Sequence, residues 1–287
     1  MQECAITAGM HGLCIANSAT LTAGACRIVD NTAFGVVAYD AIVTLGECAV
    51  ASLLSGPNEM RGGTITLEKC DVSGADGKSA LHGVNGTIFT LRDCAIHDSG
   101  DQGIALHSSQ ATVDECRIHG HVYQGVRLEE GSSITIRGGQ IYANKTVGLS
   151  VDSKSRAHIE GCTVFGNGFN GDDHYSQIWI GHESASTLIR CTIRDGARDG
   201  IAFRYQSSGT VEGCAIYGNA RDGIWIGEGS TPTIRRCQIN RNAYNAITVK
   251  KDCPAVIEDC DLTQNPKGAW DVPLFGVRGL KRAGNTE

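Results

Sequence analysis

The stretch Gly218-Asn219-Ala220-Arg221-Asp222-Gly223-Ile224-Trp225-Ile226 decides the fold, because variants of it recur along almost the whole chain. In each variant a polar turn leads into a glycine. The glycine is followed by an apolar residue, a variable residue and a second apolar residue. Gly103-Ile104-Ala105-Leu106 and Gly200-Ile201-Ala202-Phe203 are further examples. Apolar residues that alternate with a period of two are typical of a β-strand. The chain is therefore predicted to consist of short strands joined by polar turns.

A cysteine recurs in nearly every copy of this unit and gives the length of the repeat. The steps between these ladder positions are 22 to 24 residues, with one step of 29, and the positions are Cys4, Cys26, Cys48, Cys70, Cys94, Cys116, Gly139, Cys162, Cys191, Cys214, Cys237 and Cys260. A fixed period of this length indicates a solenoid, and it is too short for a β-propeller blade of roughly 40 residues. Three short strands fit one unit. We predict an all-β fold, a single-stranded right-handed parallel β-helix of about 12 coils.

Stacking of the coils places equivalent residues in columns about 4.8 Å apart. The ladder cysteines should form one internal column, in which reduced thiols are favoured because the total of 13 is odd and the column is uniform. Disulfides remain the alternative, since stacked Cα atoms at this spacing lie within disulfide range. A second column, an asparagine ladder, is predicted five residues after the ladder positions, at Asn31, Asn144, Asn167, Asn219, Asn242 and Asn265. By contrast, His97, His119 and His121 are expected on the outside of adjacent coils.

The ends of the chain differ from its middle. Residues 1–265 are predicted to form the β-helix, and residues 266–287 a C-terminal tail or cap in which Trp270, Leu274 and Phe275 could cover the last coil. The first coil begins at Cys4 without a preceding cap. Because an open sheet edge invites pairing, we expect a missing segment or another chain to cover it.

Composition excludes several classes of function. A net charge of −6 argues against a nucleic-acid partner, which requires concentrated Lys and Arg. The sequence has no apolar stretch of 18 or more residues, so no membrane span is predicted. Residues Met1–Cys4 lack the features of a secretory signal, which leads us to expect a cytoplasmic protein.

The repeat resembles the parallel β-helix repeat superfamily, which includes pectate lyases, polygalacturonases, alginate epimerases and the central domain of F-box-only β-helix proteins. The resemblance covers about residues 4 to 265 and rests on units such as Gly218–Ile226. The run Asn265–Trp270, with the later Gly284-Asn285, is similar to the ends of bacterial members. The resemblance implies the fold, whereas the scaffold carries unrelated activities, so function must be argued from a site.

The one long step of the ladder, from Cys162 to Cys191, carries six extra residues and marks a candidate catalytic site. Insertions in a solenoid form loops on one face, often the binding face. This insertion contains Asp172, Asp173, His174 and Tyr175, and His182 follows the next strand. The resemblance to β-helix glycan enzymes implies that Asp172 and Asp173 would act as acid, base or metal ligands and that His174 or His182 would carry a proton. However, Asp173-His174 lacks the proline of the epimerase Asp-Pro-His motif.

The register predicts a row of outward-facing residues beside this insertion. Trp179 and Trp225 should flank the small Ala202 from two coils about 10 Å apart, leaving a gap in which a sugar ring could lie. Arg204 should project beside the gap as a clamp for a carboxylate, and Arg198 could share that role. The remaining candidates for substrate binding are Tyr175, Tyr205, Asp152 and Lys250.

Two classes of function remain open. The first is a recognition or scaffold module that binds a protein or a glycan on the exposed sheet face, and the absence of strong catalytic motifs favours it. The second is a polysaccharide lyase, hydrolase or epimerase that acts on a uronate-containing glycan, favoured by the acidic insertion beside Trp and Arg. No cofactor or metal site is predicted, because no Cys-x₂-Cys spacing exists, although a lyase could use Ca²⁺.

Overall fold

A computed structural model describes residues 1–55, 62–74, 77–169, 176–227, 229–273 and 279–287. Over these ranges the chain winds into coils, each made of three short strands that belong to three long parallel sheets. The predicted loop residues Asp172, Asp173, His174 and Tyr175 lie outside the described residues, as do Leu274 and Phe275 of the tail.

The strands of the three sheets alternate along the chain. Sheet 1 consists of Ala5–Ile6, Arg27–Ile28, Ala49–Ala51, Asp71–Ser73, Ala95–His97, Arg117–His119, Gln140–Tyr142, Thr163–Phe165, Thr192–Arg194, Ala215–Tyr217 and Gln238–Asn240. Sheet 2 consists of His11–Ile15, Phe34–Ala38, Leu53–Ser55, Leu81–Val84, Ile104–His107, Val126–Glu129, Leu149–Val151, Ile178–Ile180, Ile201–Phe203, Ile224–Ile226, Ile247–Val249 and Trp270–Asp271. Sheet 3 consists of Thr20–Gly24, Ile42–Gly46, Thr64–Glu68, Ile88–Arg92, Gln110–Asp114, Ser133–Arg137, Arg156–Glu160, Ala185–Ile189, Ser208–Glu212, Thr231–Arg235, Val256–Glu258 and Lys281–Ala283.

Each strand pairs in parallel with the equivalent strands of the neighbouring coils, as Ile178 pairs with Ile201 and Ile201 with Ile224. Because the side chains of a strand alternate between its faces, the same positions of every coil point inward and form continuous apolar columns. Both the parallel β-helix and the predicted register are confirmed. The neighbours of an outward residue can therefore be read from the residues one repeat earlier and later.

The ladder cysteines stand at the corner between sheet 3 and sheet 1 and point into the core. The residue before the cysteine has a positive φ, as at Glu47 with 53° and Arg236 with 53°, which turns the chain sharply at this corner. The thiols donate to the carbonyl two residues earlier, for example from Cys237 to Arg235 at 3.2 Å. All 13 cysteines lie in the described ranges and none of them is in a disulfide, and from Cys26 onward the ladder thiols are buried.

The asparagine ladder lies at the corner between sheets 1 and 2. Nδ2 of Asn144 donates to Oδ1 of Asn167 at 2.9 Å, and Asn219 makes the same bond to Asn242. His121 takes this slot in the Cys116 coil and is fully buried, so its expected place on the surface is wrong. Its imidazole replaces the amide by bonding to Ser99 Oγ at 2.6 Å and to the Ile96 carbonyl at 3.1 Å.

A third internal column, which was not predicted, lies at the corner between sheets 2 and 3. Its buried hydroxyls directly precede the sheet 3 strands and belong to Ser109, Ser132, Ser155, Ser184, Ser207 and Ser230. The hydroxyls of Ser207 and Ser230 are 3.2 Å apart. Cys253 occupies the next slot and is also buried, which explains why this cysteine stands off the main ladder.

Residues beyond 265 continue the winding. Trp270–Asp271 pairs with sheet 2, and Lys281–Ala283 pairs with sheet 3. The half-buried Trp270 packs against the core together with Ala269, Val272 and Leu280. At the other end the strands Ala5–Ile6, His11–Ile15 and Thr20–Gly24 form the edges of the three sheets. That another segment or chain covers them stays a prediction.

Candidate functional site

The outer face of sheet 2 brings together several of the predicted site residues. Ala202 pairs with Trp179 of the preceding coil and with Trp225 of the following one. Arg204 stands two residues after Ala202 on the same face. Its guanidinium carbon lies 5.0 Å from the ring centroid of Trp179 and 4.1 Å from that of Trp225. We refer to Trp179, Arg204 and Trp225 as the Trp–Arg–Trp cluster.

The position of Arg204 corrects the expectation of an open gap between the indoles. The guanidinium fills the space in which a sugar ring was expected to lie. The two tryptophans therefore do not form a stacking slot in this arrangement. They flank a cation instead, and a guanidinium that lies over two indole rings is a favourable cation–π arrangement.

Two glycines allow the indoles to reach Arg204. A Cβ atom on Gly227 would lie 2.2 Å from Cη2 of Trp225, and one on Gly181 would lie 2.7 Å from Nε1 of Trp179. Each indole thus folds over the glycine two residues later, which directly follows the strand of that tryptophan. The sequence signal was available in Trp179-Ile180-Gly181 and Trp225-Ile226-Gly227, two coils apart with Ala202-Phe203-Arg204 between them.

The turns that follow these strands add a second group of predicted residues. The imidazole of His182 is hydrogen-bonded to the carboxylate of Asp152 in the preceding coil. On its other side His182 stacks against Tyr205, with ring centroids 4.4 Å apart. The ring of Tyr205 lies 6.2 Å from that of Trp179, which connects this group to the Trp–Arg–Trp cluster. His182 and Tyr205 are both exposed.

Two of the predicted residues lie apart from the cluster. Lys250, two coils beyond Arg204, forms an ion pair with Asp271 at 3.2 Å. Arg198 is half-buried in the turn before the strand Ile201–Phe203, at the opposite end of that strand from Arg204. The roles given to Arg198, Lys250 and the residues 172–175 stay predictions.

A buried pair of carboxyl groups, Asp199 and Asp222, lies in the turns before the sheet 2 strands and was not among the predicted site residues. The side chain of Asp199 accepts the backbone N–H of Asp222 at 3.0 Å, and Asp222 in turn accepts the hydroxyl of Thr248 at 2.8 Å. Burial raises the pKa of Asp199 to about 6, although that backbone hydrogen bond opposes the shift. Asp199 therefore titrates close to neutral pH, which is uncommon for a carboxyl group.

The outer face of sheet 1 carries a different arrangement of rings. His97, His119, Tyr142 and Phe165 stack in consecutive coils with centroids 4.6 to 5.5 Å apart, and Arg194 lies 4.4 Å from the Phe165 centroid. The rings are nearly parallel, with interplanar angles of 6 to 18°. Each ring face therefore covers its neighbour, so this stack stabilises the sheet and leaves few faces for a ligand.

Two kinds of feature are absent from the described ranges, a metal-binding cluster and a membrane-spanning helix. No group of three or more His, Cys, Asp or Glu side chains in these ranges is arranged to hold a metal ion. Among the same residues no helix has the length and hydropathy needed to cross a lipid bilayer. The use of Ca²⁺ by a lyase stays a prediction that depends on residues outside these ranges.

The fold and the outer face of sheet 2 define a protein of the β-helix class. The family model described as right-handed beta helix region matches residues 12–177 and 172–272, and the chain belongs to this family. No curated protein sequence matches the chain significantly.

Solved structures share the fold at low sequence identity. The A-module of the mannuronan C-5 epimerase AlgE4 from Azotobacter vinelandii is 14% identical, with a TM-score of 0.70 over 93% of this chain and 86% of that one. The periplasmic alginate epimerase AlgG is 13% identical, with a TM-score of 0.73 over 93% of this chain and 73% of that one. Pectate lyase Pel9A is 10% identical, with a TM-score of 0.63 over 88% and 71%. These similarities confirm the resemblance in fold.

Proposed function

We propose that the protein is a recognition module that binds an acidic, uronate-containing polysaccharide on the outer face of sheet 2. The observation that carries this proposal is the Trp–Arg–Trp cluster. Trp179 and Trp225 flank the guanidinium of Arg204, and the proposed ligand is a carboxylate that would interact with its N–H groups. Guanidinium presents five N–H donors in a planar fork that matches a carboxylate.

The surroundings of the cluster support a glycan rather than a flat apolar partner. His182, Tyr205 and Asp152 supply hydrogen-bonding groups beside the cluster, and the face continues without interruption over neighbouring coils. Sugar hydroxyl groups require such polar partners, while the carboxylate of a uronate provides the charge that Arg204 complements. The names of the structural neighbours, which refer to mannuronan, alginate and pectate, are consistent with this class of ligand.

Binding of polygalacturonate and alginate by the wild type and by Arg204→Gln tests the proposal. We expect the variant to bind both polymers about tenfold or more weakly, because it loses the charge and the planar fork. Arg194→Gln is the matched control. It removes an arginine that also stacks on an aromatic ring, but on sheet 1, and should retain wild-type affinity. Equal affinities of all three proteins, or no binding by the wild type, would contradict the proposal.

A second candidate function, catalysis on the same glycan as a lyase, hydrolase or epimerase, is favoured by one specific observation. Asp199 is buried two residues before the strand Ile201–Phe203 with a pKa of about 6, in the range useful for a general acid or base. Incubation with polygalacturonate and alginate, followed by detection of unsaturated, shortened or epimerised products, tests this function. Products formed by the wild type and lost in Asp199→Asn would support it. Unchanged polymers would leave recognition as the function.

A further inference from the structure

Two exceptions to the repeat meet in adjacent coils beside the Trp–Arg–Trp cluster. In the Cys191 coil, glycine stands at position 196, where an asparagine of the buried ladder is expected. In the preceding coil, glutamine stands at position 177, where neighbouring coils have the glycine that opens the sheet 2 strand. Gln177 is fully buried and lies two residues before Trp179.

The amide of Gln177 fills the space of the missing asparagine. Its Oε1 accepts the backbone N–H of Asn167 at 3.3 Å, and its Nε2 donates to the carbonyl of Arg194 at 2.9 Å. A Cβ atom on Gly196 would lie 2.5 Å from Nε2 of Gln177, so the glutamine amide can take this position only because residue 196 is glycine.

An ordinary ladder residue makes the same bonds from the other side of the corner. Asn242 accepts the N–H of Asn219 at 3.3 Å and donates to the carbonyl of Asn240 at 3.2 Å. The ladder would therefore be equally complete with asparagine at 196 and glycine at 177. The difference lies in where the amide comes from. With glutamine at 177, the amide belongs to the residue that precedes the strand Ile178–Ile180, so the start of this strand is attached to the buried ladder.

This attachment lies in the coil that carries the six extra residues, just after them. The backbone of Gln177 is also hydrogen-bonded to both neighbouring coils. Its N–H donates to the Asp199 carbonyl at 3.0 Å, and its carbonyl accepts the backbone N–H of Leu149 at 3.1 Å. Backbone and side chain together fix residue 177 immediately after the insertion and before Ile178-Trp179.

From this geometry we infer that Gln177 is a positioning residue for Trp179. Its buried amide holds the start of the strand Ile178–Ile180, so that the indole lies over Gly181 and against Arg204. The inference rests on the proposed function only where polysaccharide affinity is the readout. The state of the indole can be measured without any ligand.

The test compares Gln177→Gly with the double variant Gln177→Gly/Gly196→Asn. The double variant moves the amide to its usual position, and glycine at 177 provides the space, as Gly200 does beside Asn219. All proteins carry Trp270→Phe, so that the two remaining tryptophans are those of the cluster. Near-UV circular dichroism and acrylamide quenching report on the indoles, thermal unfolding on the ladder, and polygalacturonate titration on the site.

We expect Gln177→Gly to lower the Tm by about 5 °C, because it leaves buried backbone groups unpaired. The double variant should regain the Tm but keep altered indole signals and a weakened affinity. Recovery of the wild-type indole signals by the double variant would overturn the inference, because Gln177 would then serve the ladder alone. A double variant as unstable as the single one would also contradict it.

Two further outcomes keep the experiment decisive. If Gln177→Gly does not fold, the double variant decides alone, since its ladder is complete. If the wild type does not bind polygalacturonate, the proposed function fails, and the indole signals still decide whether Gln177 positions Trp179.

Discussion

The indole of Trp225 lies over Gly227 so closely that a single added methyl group at residue 227 would be 2.2 Å from the ring. The backbone of Gly227 does not need a glycine, because its φ is not in the left-handed region. The missing side chain instead leaves space for the indole of Trp225, two residues earlier. Local sequence therefore determines where the ring lies and, through the ring, where Arg204 is held.

Replacement of Gly227 by alanine should displace the indole of Trp225 from Arg204. We expect a loss of about 1–3 kcal/mol in the free energy of unfolding, as is usual for overpacking, and a severalfold weaker affinity for polygalacturonate. Gly46→Ala is the matched control, because a Cβ at residue 46 would meet no atom within 4 Å. The account would be contradicted if Gly227→Ala were as stable as the control and bound with wild-type affinity.

The thiol column predicts a sharp contrast in cysteine reactivity. Among the 13 cysteines only Cys14 is exposed and Cys4 is partly so, while the others are buried. A side-chain hydrogen bond to Cys116, together with burial, raises the pKa of Cys94 to about 11, and burial raises the pKa of Cys162 as well. Because the thiolate is the reactive form, Ellman's reagent should titrate two thiols in the native protein and all 13 after denaturation.

Cys14→Ser should remove the fast phase of this reaction. Rapid labelling of more than two native thiols would contradict a closely packed column. Loss of reactive thiols after denaturation without reductant would indicate disulfides in the isolated protein.

His121 should make stability depend on pH. Burial lowers its pKa to about 4, below the value of about 6.5 in an unfolded chain. The unfolded state therefore binds more protons between these values, and the stability contributed by neutral His121 is lost as the pH falls from 6.5 toward 4. Between pH 7 and pH 5 the loss should be about 2 kcal/mol.

His121→Asn, which restores the usual ladder residue, isolates this contribution from those of other titrating groups. Denaturant unfolding of both proteins at pH 7 and pH 5 should show that the variant loses less stability on acidification. Parallel pH profiles would mean that His121 is not buried as a neutral ring.

Asp199 should have the opposite dependence on pH. Its pKa is raised from 3.8 to about 6 in the folded protein, so the stability that neutral Asp199 contributes is lost as the pH rises from about 4 through 6. Asp199→Asn keeps the oxygen that accepts the N–H of Asp222, and it should increase the free energy of unfolding at pH 8 by about 1–2 kcal/mol with little effect at pH 4. Lower stability of the variant at pH 8 would contradict this assignment.

The regular columns of the fold could be predicted from the sequence, whereas their exceptions could not. The spacing of Cys191, Cys214 and Cys237 determines which residues stack, and that register correctly places Ala202 between Trp179 and Trp225. The conformation of a long, flexible side chain such as that of Arg204 is not determined by the register. Only the structure shows that its guanidinium fills the space between Trp179 and Trp225.

The wrong prediction for His121 could have been avoided from the sequence. His121 stands five residues after Cys116, the offset of the asparagine ladder, but a rule restricted to asparagine overlooks an imidazole that makes equivalent hydrogen bonds. In the sequence, Gln177 and Gly196 appear only as two unrelated exceptions to the repeat. Only the structure shows that the amide of Gln177 replaces the asparagine that is absent at position 196 of the adjacent coil.

The central claim, that the Trp–Arg–Trp cluster recognises the carboxylate of a uronate, is tested most directly by changing the ligand. Fluorescence of the two cluster tryptophans in the Trp270→Phe protein can be titrated with polygalacturonate and with the same polymer after full methyl esterification. The account predicts a saturable change with the acid polymer and a response at least about tenfold weaker with the ester. Equal responses to both polymers, or none to either, would contradict it.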